Sequence, residues 1–208
     1  QNMTSLTFAF SRALAKTWNE GDEIVVTRLD HDANVTPWVL AAADAGVTVR
    51  FAEMETNQYT LDLDSLRDAI TDKTRLVAVG AASNATGGIN PIQQISQMAH
   101  EVGAQVFVDA VHYGPHGLID VVEWECDYLV CSAYKFFGPH LGILWGRREH
   151  LESVSAYKVR PAEDEIPGKW MTGTQSFESI AAGQACVDYL CQLGDPAWDV
   201  KSDHRRPA

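Results

Sequence analysis

The run Tyr128-Leu129-Val130-Cys131-Ser132-Ala133-Tyr134-Lys135-Phe136-Phe137-Gly138-Pro139-His140 decides the fold. Its first four residues form an apolar strand of the kind buried on both faces. Lys135 ends that strand, just before a Gly-Pro turn. Side chains at such a place are offered to a ligand rather than to bulk water. Upstream, a second apolar strand, Gln105-Val106-Phe107-Val108, ends in Asp109. Two parallel strands that end in an acid and an amine can hold one small molecule between them.

The pattern extends outward from these two strands. Residues Ser5 to Trp18 place Leu6, Phe10, Ala13, Leu14 and Trp18 at helical spacing, and Gly21-Asp22 ends that helix. Glu23 to Thr27 reads as a buried strand, Val35 to Ala45 as a helix capped by Gly46, and Val47 to Phe51 as the next strand. Asp62 to Ile70 opens with capping residues and reads as a short helix. Arg75 to Ala81 is a strand broken by Gly87-Gly88, and Pro91 to Glu101 is a helix with proline in its first turn. A strand over Gly142 to Trp145 follows. Strands rich in β-branched residues, alternating with helices, predict an α/β fold. Its sheet is mainly parallel and sandwiched by helices. Ligands of such sheets bind at the carboxyl ends of the strands. His31, Asn84, Asp109, His112, Ser132 and Lys135 all fall there.

Composition narrows the class. The chain has 208 residues, enough for one sizeable core, and 46% are apolar. The formal net charge of -12 argues against nucleic acid and anionic membrane surfaces as main partners. No apolar run approaches the ~20 residues of a membrane span, and the start lacks the regions of a signal peptide. The expected setting is cytoplasmic. Cys126, Cys131, Cys186 and Cys191 form no CxxC pair and suggest neither a disulfide framework nor a metal site. The first residues carry no initiator Met, and the polar tail from Trp198 to Ala208 stops without a clear terminus. Both features fit an internal fragment of a longer protein.

The acid and the amine point to pyridoxal 5'-phosphate, which needs a lysine for its Schiff base and an acid opposite its ring nitrogen. Five stretches carry a resemblance. They are Gly21 to Val26 with Asp30-His31-Asp32-Ala33-Asn34; Ala82-Ser83-Asn84-Ala85-Thr86-Gly87; Val108-Asp109-Ala110-Val111-His112; Ser132-Ala133-Tyr134-Lys135 with Gly138-Pro139; and Thr172-Gly173-Thr174-Gln175. In this order they resemble the class V aminotransferase group of pyridoxal-phosphate enzymes, and within it the cysteine desulfurases and their desulfurase-like relatives.

The resemblance implies the aspartate-aminotransferase-like fold, with a sheet of the seven-stranded type. Residues 1-180 would be the cofactor-binding large domain, incomplete at its N-terminus. Residues 181-208 would begin the connection to a C-terminal small domain that is absent. Lys135 matches the lysine that holds the cofactor as an internal aldimine. Asp109 matches the partner of the pyridine nitrogen, and His31 the histidine stacked on the ring, able to move protons at the substrate. Asn84 matches a residue near the phenolic oxygen. His112 stands where desulfurases often carry Gln, and Tyr134 where many have His. Ser132 and the loop Asn2-Met3-Thr4 match the phosphate donors. Thr174 matches a residue that reaches the phosphate of a neighbouring subunit, which implies a homodimer with shared sites.

The implied activity is desulfuration of cysteine to alanine with sulfur transfer, acting on a small amino acid. Epimerase, transaminase and β-lyase chemistry of the same group are the alternatives, as is a catalytically incomplete cofactor-binding fragment. The thiol and the carboxylate-binding arginine used by family desulfurases lie beyond the matched stretches. None of the four cysteines occupies the thiol's position.

Overall fold

A computed structural model describes residues 2–194. In chain order the helices and strands are α1 (Met3–Leu14), β1 (Glu23–Thr27), α2 (Thr36–Ala45), β2 (Thr48–Ala52), β3 (Met54–Glu55), β4 (Thr60–Leu61), α3 (Leu63–Ala69), β5 (Thr74–Gly80), α4 (Ile92–His100), β6 (Gln105–Asp109), β7 (Tyr128–Ser132), β8 (Gly142–Gly146), α5 (Arg148–Ser153) and α6 (Phe177–Gly194). Among the described residues six strands form the main sheet, in the order β2-β1-β5-β6-β7-β8, and β3 and β4 make a small separate ribbon. The five strands from β2 to β7 are parallel. This is the expected mixed α/β architecture.

The edge strand β8 runs antiparallel to β7, pairing Ser132 with Gly142 and Tyr128 with Gly146. The cause is the short connection, too short for the crossover that a parallel pair needs. Lys135 therefore sits in a hairpin connection. The strand itself ends at Ser132, and a 3-10 turn over Ala133–Phe136 carries the lysine. The sequence reading placed Lys135 at the strand end; it lies one turn beyond.

Alternation along the strands builds two cores. Ile24, Val26, Leu76, Ala78, Phe107, Tyr128 and Val130 face α1 and α2. Val25, Val77, Val79, Val106, Val108 and Leu129 face α3 and α4. Phe10 fixes α1 on the first face. Its ring lies 4.8 Å from Tyr128, 5.9 Å from Phe107, 6.5 Å from Trp38 and 5.3 Å from Trp170. Such aromatic contacts add to the area buried by each ring.

Several boundaries differ from the sequence reading for local reasons. Helix α1 begins at Met3 rather than Ser5, because the Asn2 side chain accepts a hydrogen bond from the Ser5 N–H at 2.9 Å and caps it. It ends at Leu14, and a 3-10 turn over Ala15–Thr17 completes the stretch that reads as one helix. Helix α6 runs across residues 180 and 181, and the rest of the expected connection, residues 195 to 208, lies outside the described residues together with the tail from Trp198. The Cys186 thiol of α6 donates to the Phe136 carbonyl at 2.9 Å, so this helix braces the turn that bears Lys135.

Candidate active site

The strand ends converge on one cleft of about 200 Å³. Ten of the eleven residues singled out from the sequence line it: Asn2, Met3, Thr4, His31, Asn84, Asp109, His112, Ser132, Tyr134 and Lys135. Thr174 is the exception. It is exposed, in the loop before α6, and is not among the lining residues.

Asp109 ends β6, opposite Gly80 at the end of β5. It is 8% exposed. Its Oδ1 accepts from the Val111 N–H at 2.8 Å. Burial pushes the carboxyl up to about 6, against the opposing pull of the Val111 hydrogen bond and the nearby His31. A buried acid of this kind is unstable as an anion until a cation arrives beside it.

His31 occupies the turn after β1, where its Nδ1 accepts from the Ala33 N–H at 3.0 Å. That bond fixes the tautomer of the neutral ring, with the proton on Nε2. Behind His31 lies Asp30, to which its place in the matched stretch assigns no role. Its two oxygens accept from the Gly80 N–H at 2.8 and 3.0 Å, and Oδ2 also accepts from Asn34 Nδ2 at 2.8 Å. Burial, with a smaller contribution from the Asp109 charge, pushes this acid up to about 7. The signal in the sequence was the spacing of Asp30, Asn34 and Trp38: polar groups on one side of a helix start, followed by a buried indole whose Nε1 donates to Asn34 Oδ1 at 3.1 Å.

The lysine turn is held by local geometry. Phe137 adopts a left-handed φ of 69° and closes the 3-10 turn. The Gly138 N–H donates to the Ala133 carbonyl at 2.8 Å, and a Cβ on Gly138 would meet Ala133 Cβ at 2.8 Å. Only glycine fits there. Lys135 Nζ makes no ion pair among the described residues and lies 5.3 Å from the centre of the Tyr134 ring. Lys135 is exposed at the rim of the cleft. Tyr134 is 45% exposed and stacks on His140, ring centres 5.2 Å apart. His112 is half-buried, and burial, with the adjacent His116 and Lys135 charges, lowers its pKa and favours the neutral ring.

At the other end of the cleft the residues form an anion cradle. At the start of α1 the first N–H groups have no helical acceptor; Asn2 Oδ1 takes that of Ser5, and those of Met3 and Thr4 stay open. A Cβ on Gly142 would lie 2.6 Å from the Met3 nitrogen and 2.7 Å from the Asn2 carbonyl carbon. Glycine at 142 thus lets the helix N-terminus press against β8. Gly142 pairs with Ser132, whose side chain is buried and bears no hydrogen bond among the described residues. Free amide donors, a helix N-terminus and an unpartnered hydroxyl form a phosphate-binding set. Cradle, amine and buried acid together fit pyridoxal 5'-phosphate.

None of the four cysteines lines the cleft, and all are free; Cys126, Cys131 and Cys186 are buried. No helix among the described residues is long and apolar enough to cross a membrane.

Residues 1–203 match the family described as Aminotransferase class-V, and the chain belongs to that family. A probable cysteine desulfurase of Synechocystis sp. is 37% identical over 187 residues, covering 84% of this chain and 44% of that protein. An aminotransferase-like protein of Gibberella zeae, FGM3, is 33% identical over 198 residues, covering 93% of this chain and 49% of that protein. The crystal structure of the cysteine desulfurase CsdA from Escherichia coli superposes with a TM-score of 0.84 at 27% identity, covering 96% of this chain and 52% of that one. The chain thus spans about half the length of the relatives it matches.

The buried acid has a stability signature. Raising the pH from 4 through 6 deprotonates Asp109 first in the unfolded chain, so the folded cofactor-free protein loses stability over that interval. Asp109→Asn keeps an oxygen for the Val111 N–H but carries no charge. Chemical denaturation at pH 8 should find the variant more stable by about 1–3 kcal/mol, with the difference vanishing near pH 4. A variant less stable than the parent at pH 8 would contradict this electrostatic assignment.

Proposed function

We propose, from membership in the class-V aminotransferase family, that the chain is the cofactor-binding large domain of a pyridoxal-phosphate enzyme that is desulfurase-like and acts on a small amino acid. The observation that carries this reading is the convergence of Lys135, Asp109 and the α1 cradle on a single cleft. Residues 1-180 form that domain and residues 181-208 lead toward a small domain. The assembly is a cytoplasmic homodimer in which the exposed Thr174 reaches the neighbouring site.

Each residue has a task set by its chemistry. The cofactor, when bound, supplies an electron-withdrawing ring that stabilises negative charge at the substrate carbon. Lys135 Nζ is the amine that would hold the cofactor, and as a free amine it could take or return a proton at that carbon. Asp109, as a carboxylate, favours a protonated ring nitrogen. His31 would border the ring, with Nε2–H available to a substrate atom. His112, neutral, and Asn84 offer hydrogen bonds to the phenolic oxygen. Ser132 and the first-turn N–H groups of Met3 and Thr4 bind phosphate, beside the Ser5 N–H that Asn2 caps, and Tyr134 borders them.

Two substrate outcomes follow from the same site. Desulfuration of cysteine has the support of the relatives named as cysteine desulfurases. Transamination, epimerisation or β-elimination has the support of the aminotransferase-like relative. Adding pyridoxal 5'-phosphate to the purified protein should produce a visible absorbance band, and Lys135→Ala should abolish it. Retention of the band in that variant would refute the lysine assignment. In the intact enzyme given cysteine, sulfide with alanine supports desulfuration, and a keto acid without alanine supports the second outcome.

A further inference from the structure

Asp30 has no role in the reaction as derived above, yet it is among the most constrained side chains of the cleft. Both carboxylate oxygens accept from the Gly80 N–H, at 2.8 and 3.0 Å. Oδ2 also accepts from Asn34 Nδ2 at 2.8 Å, and Asn34 Oδ1 in turn holds the indole of the fully buried Trp38 at 3.1 Å. Gly80 permits this approach: a Cβ there would lie 2.9 Å from Asp30 Oδ1. The clamp ties the turn after β1, which carries His31, to the end of β5. Gly80 is the register partner of Asp109, so the two acids flank the end of β5, Asp30 from the turn after β1 and Asp109 from β6, and line one cleft. The titratable groups that share the cleft with Asp30 are Asp109 on β6, His31 on its own turn, His112 after β6 and Lys135 after β7.

We propose that Asp30 is a positioning residue and the second acid of the site: its carboxylate fixes the His31 turn against β5 and adds, beside Asp109, a further negative charge that favours a cationic ring. This rests on the cofactor reading above. Burial raises both acids, Asp30 to about 7 and Asp109 to about 6, and the Asp109 charge adds a smaller push on Asp30. A cationic ring seated in the cleft attracts both carboxylates as well as offsetting the Asp109 charge, and Asp30 releases its proton to solvent as it binds. Near neutral pH the pair would give the cleft a reserve of negative charge that grows as the cofactor is seated.

The test is binding of pyridoxal 5'-phosphate to the wild-type chain and to Asp30→Asn, followed by affinity and by the induced circular dichroism of the bound cofactor. At pH 8 the variant should bind about tenfold more weakly, the size expected for losing one favourable charge interaction. At pH 5.5, where the wild-type acid is protonated, the two should bind alike. The dichroism should differ at pH 8, where the carboxylate accepts from both Gly80 and Asn34 and an amide has a single oxygen to do so, and should converge at pH 5.5. Equal affinity at both pH values, or an equal loss at both, overturns the proposal. Wild-type protein labelled with carbon-13 at the aspartate carboxyls provides a reading that needs no variant. The Asp30 resonance should titrate near neutrality in the free chain and at lower pH with pyridoxal 5'-phosphate bound. An unchanged midpoint overturns the proposal. Absence of any binding to wild type overturns the cofactor reading and this one with it, whereas binding with an unchanged midpoint spares the former.

Discussion

A carboxylate buried at the end of a central strand is the constraint on which this structure turns. Asp109 is placed there by the pairing of β5, β6 and β7, whose continuous apolar runs leave no room for water along the strands. Folding therefore carries the anion into a poorly solvated position with one hydrogen bond, from Val111. That arrangement opposes stability in the free chain and favours the binding of a cation. Much of the rest of the cleft is consistent with such an occupant. Lys135 approaches on a hairpin turn, His31 stands on a turn clamped to Gly80, and the amide groups of α1 face the opposite end.

The placement of each part has a distinct physical origin. Lys135 depends on the short β7–β8 connection, on Gly138 packing against Ala133, and on the Cys186 thiol that holds the Phe136 carbonyl. The anion cradle depends on Phe10, which seats α1 over Phe107 and Tyr128, and on Gly142, which lets the helix start touch β8. A helix anchored by aromatic packing at its middle and by a glycine contact at its start presents its first amides in a fixed direction. Such preorganisation matters more for a phosphate than the count of donors.

Much of this was legible in the chain. Asp109 and Lys135 could be found because each follows a run of buried strand residues, where a polar side chain has no reason to lie except at the ligand-bearing end. The helix cap at Asn2 was not legible as a cap, since the apolar spacing of α1 becomes regular only from Leu6 onward. The antiparallel turn of β8 was not legible either, because its apolar run looks the same in both directions. Asp30 was hidden for another reason. Acidic residues flanking a histidine read as a solvated loop, and only the Gly80 amide fifty residues later in the chain reveals a buried partner. Thr174 is the residue whose expected role the single chain leaves apart from the cleft.

Reduction with borohydride after adding pyridoxal 5'-phosphate, followed by peptide mapping, tests the central claim most directly. The account predicts one reduced pyridoxyl adduct, on Lys135, and none on the lysines outside the cleft. A folded protein that gives no adduct, or one whose adducts scatter over surface lysines such as Lys16, Lys73 and Lys158, would contradict it.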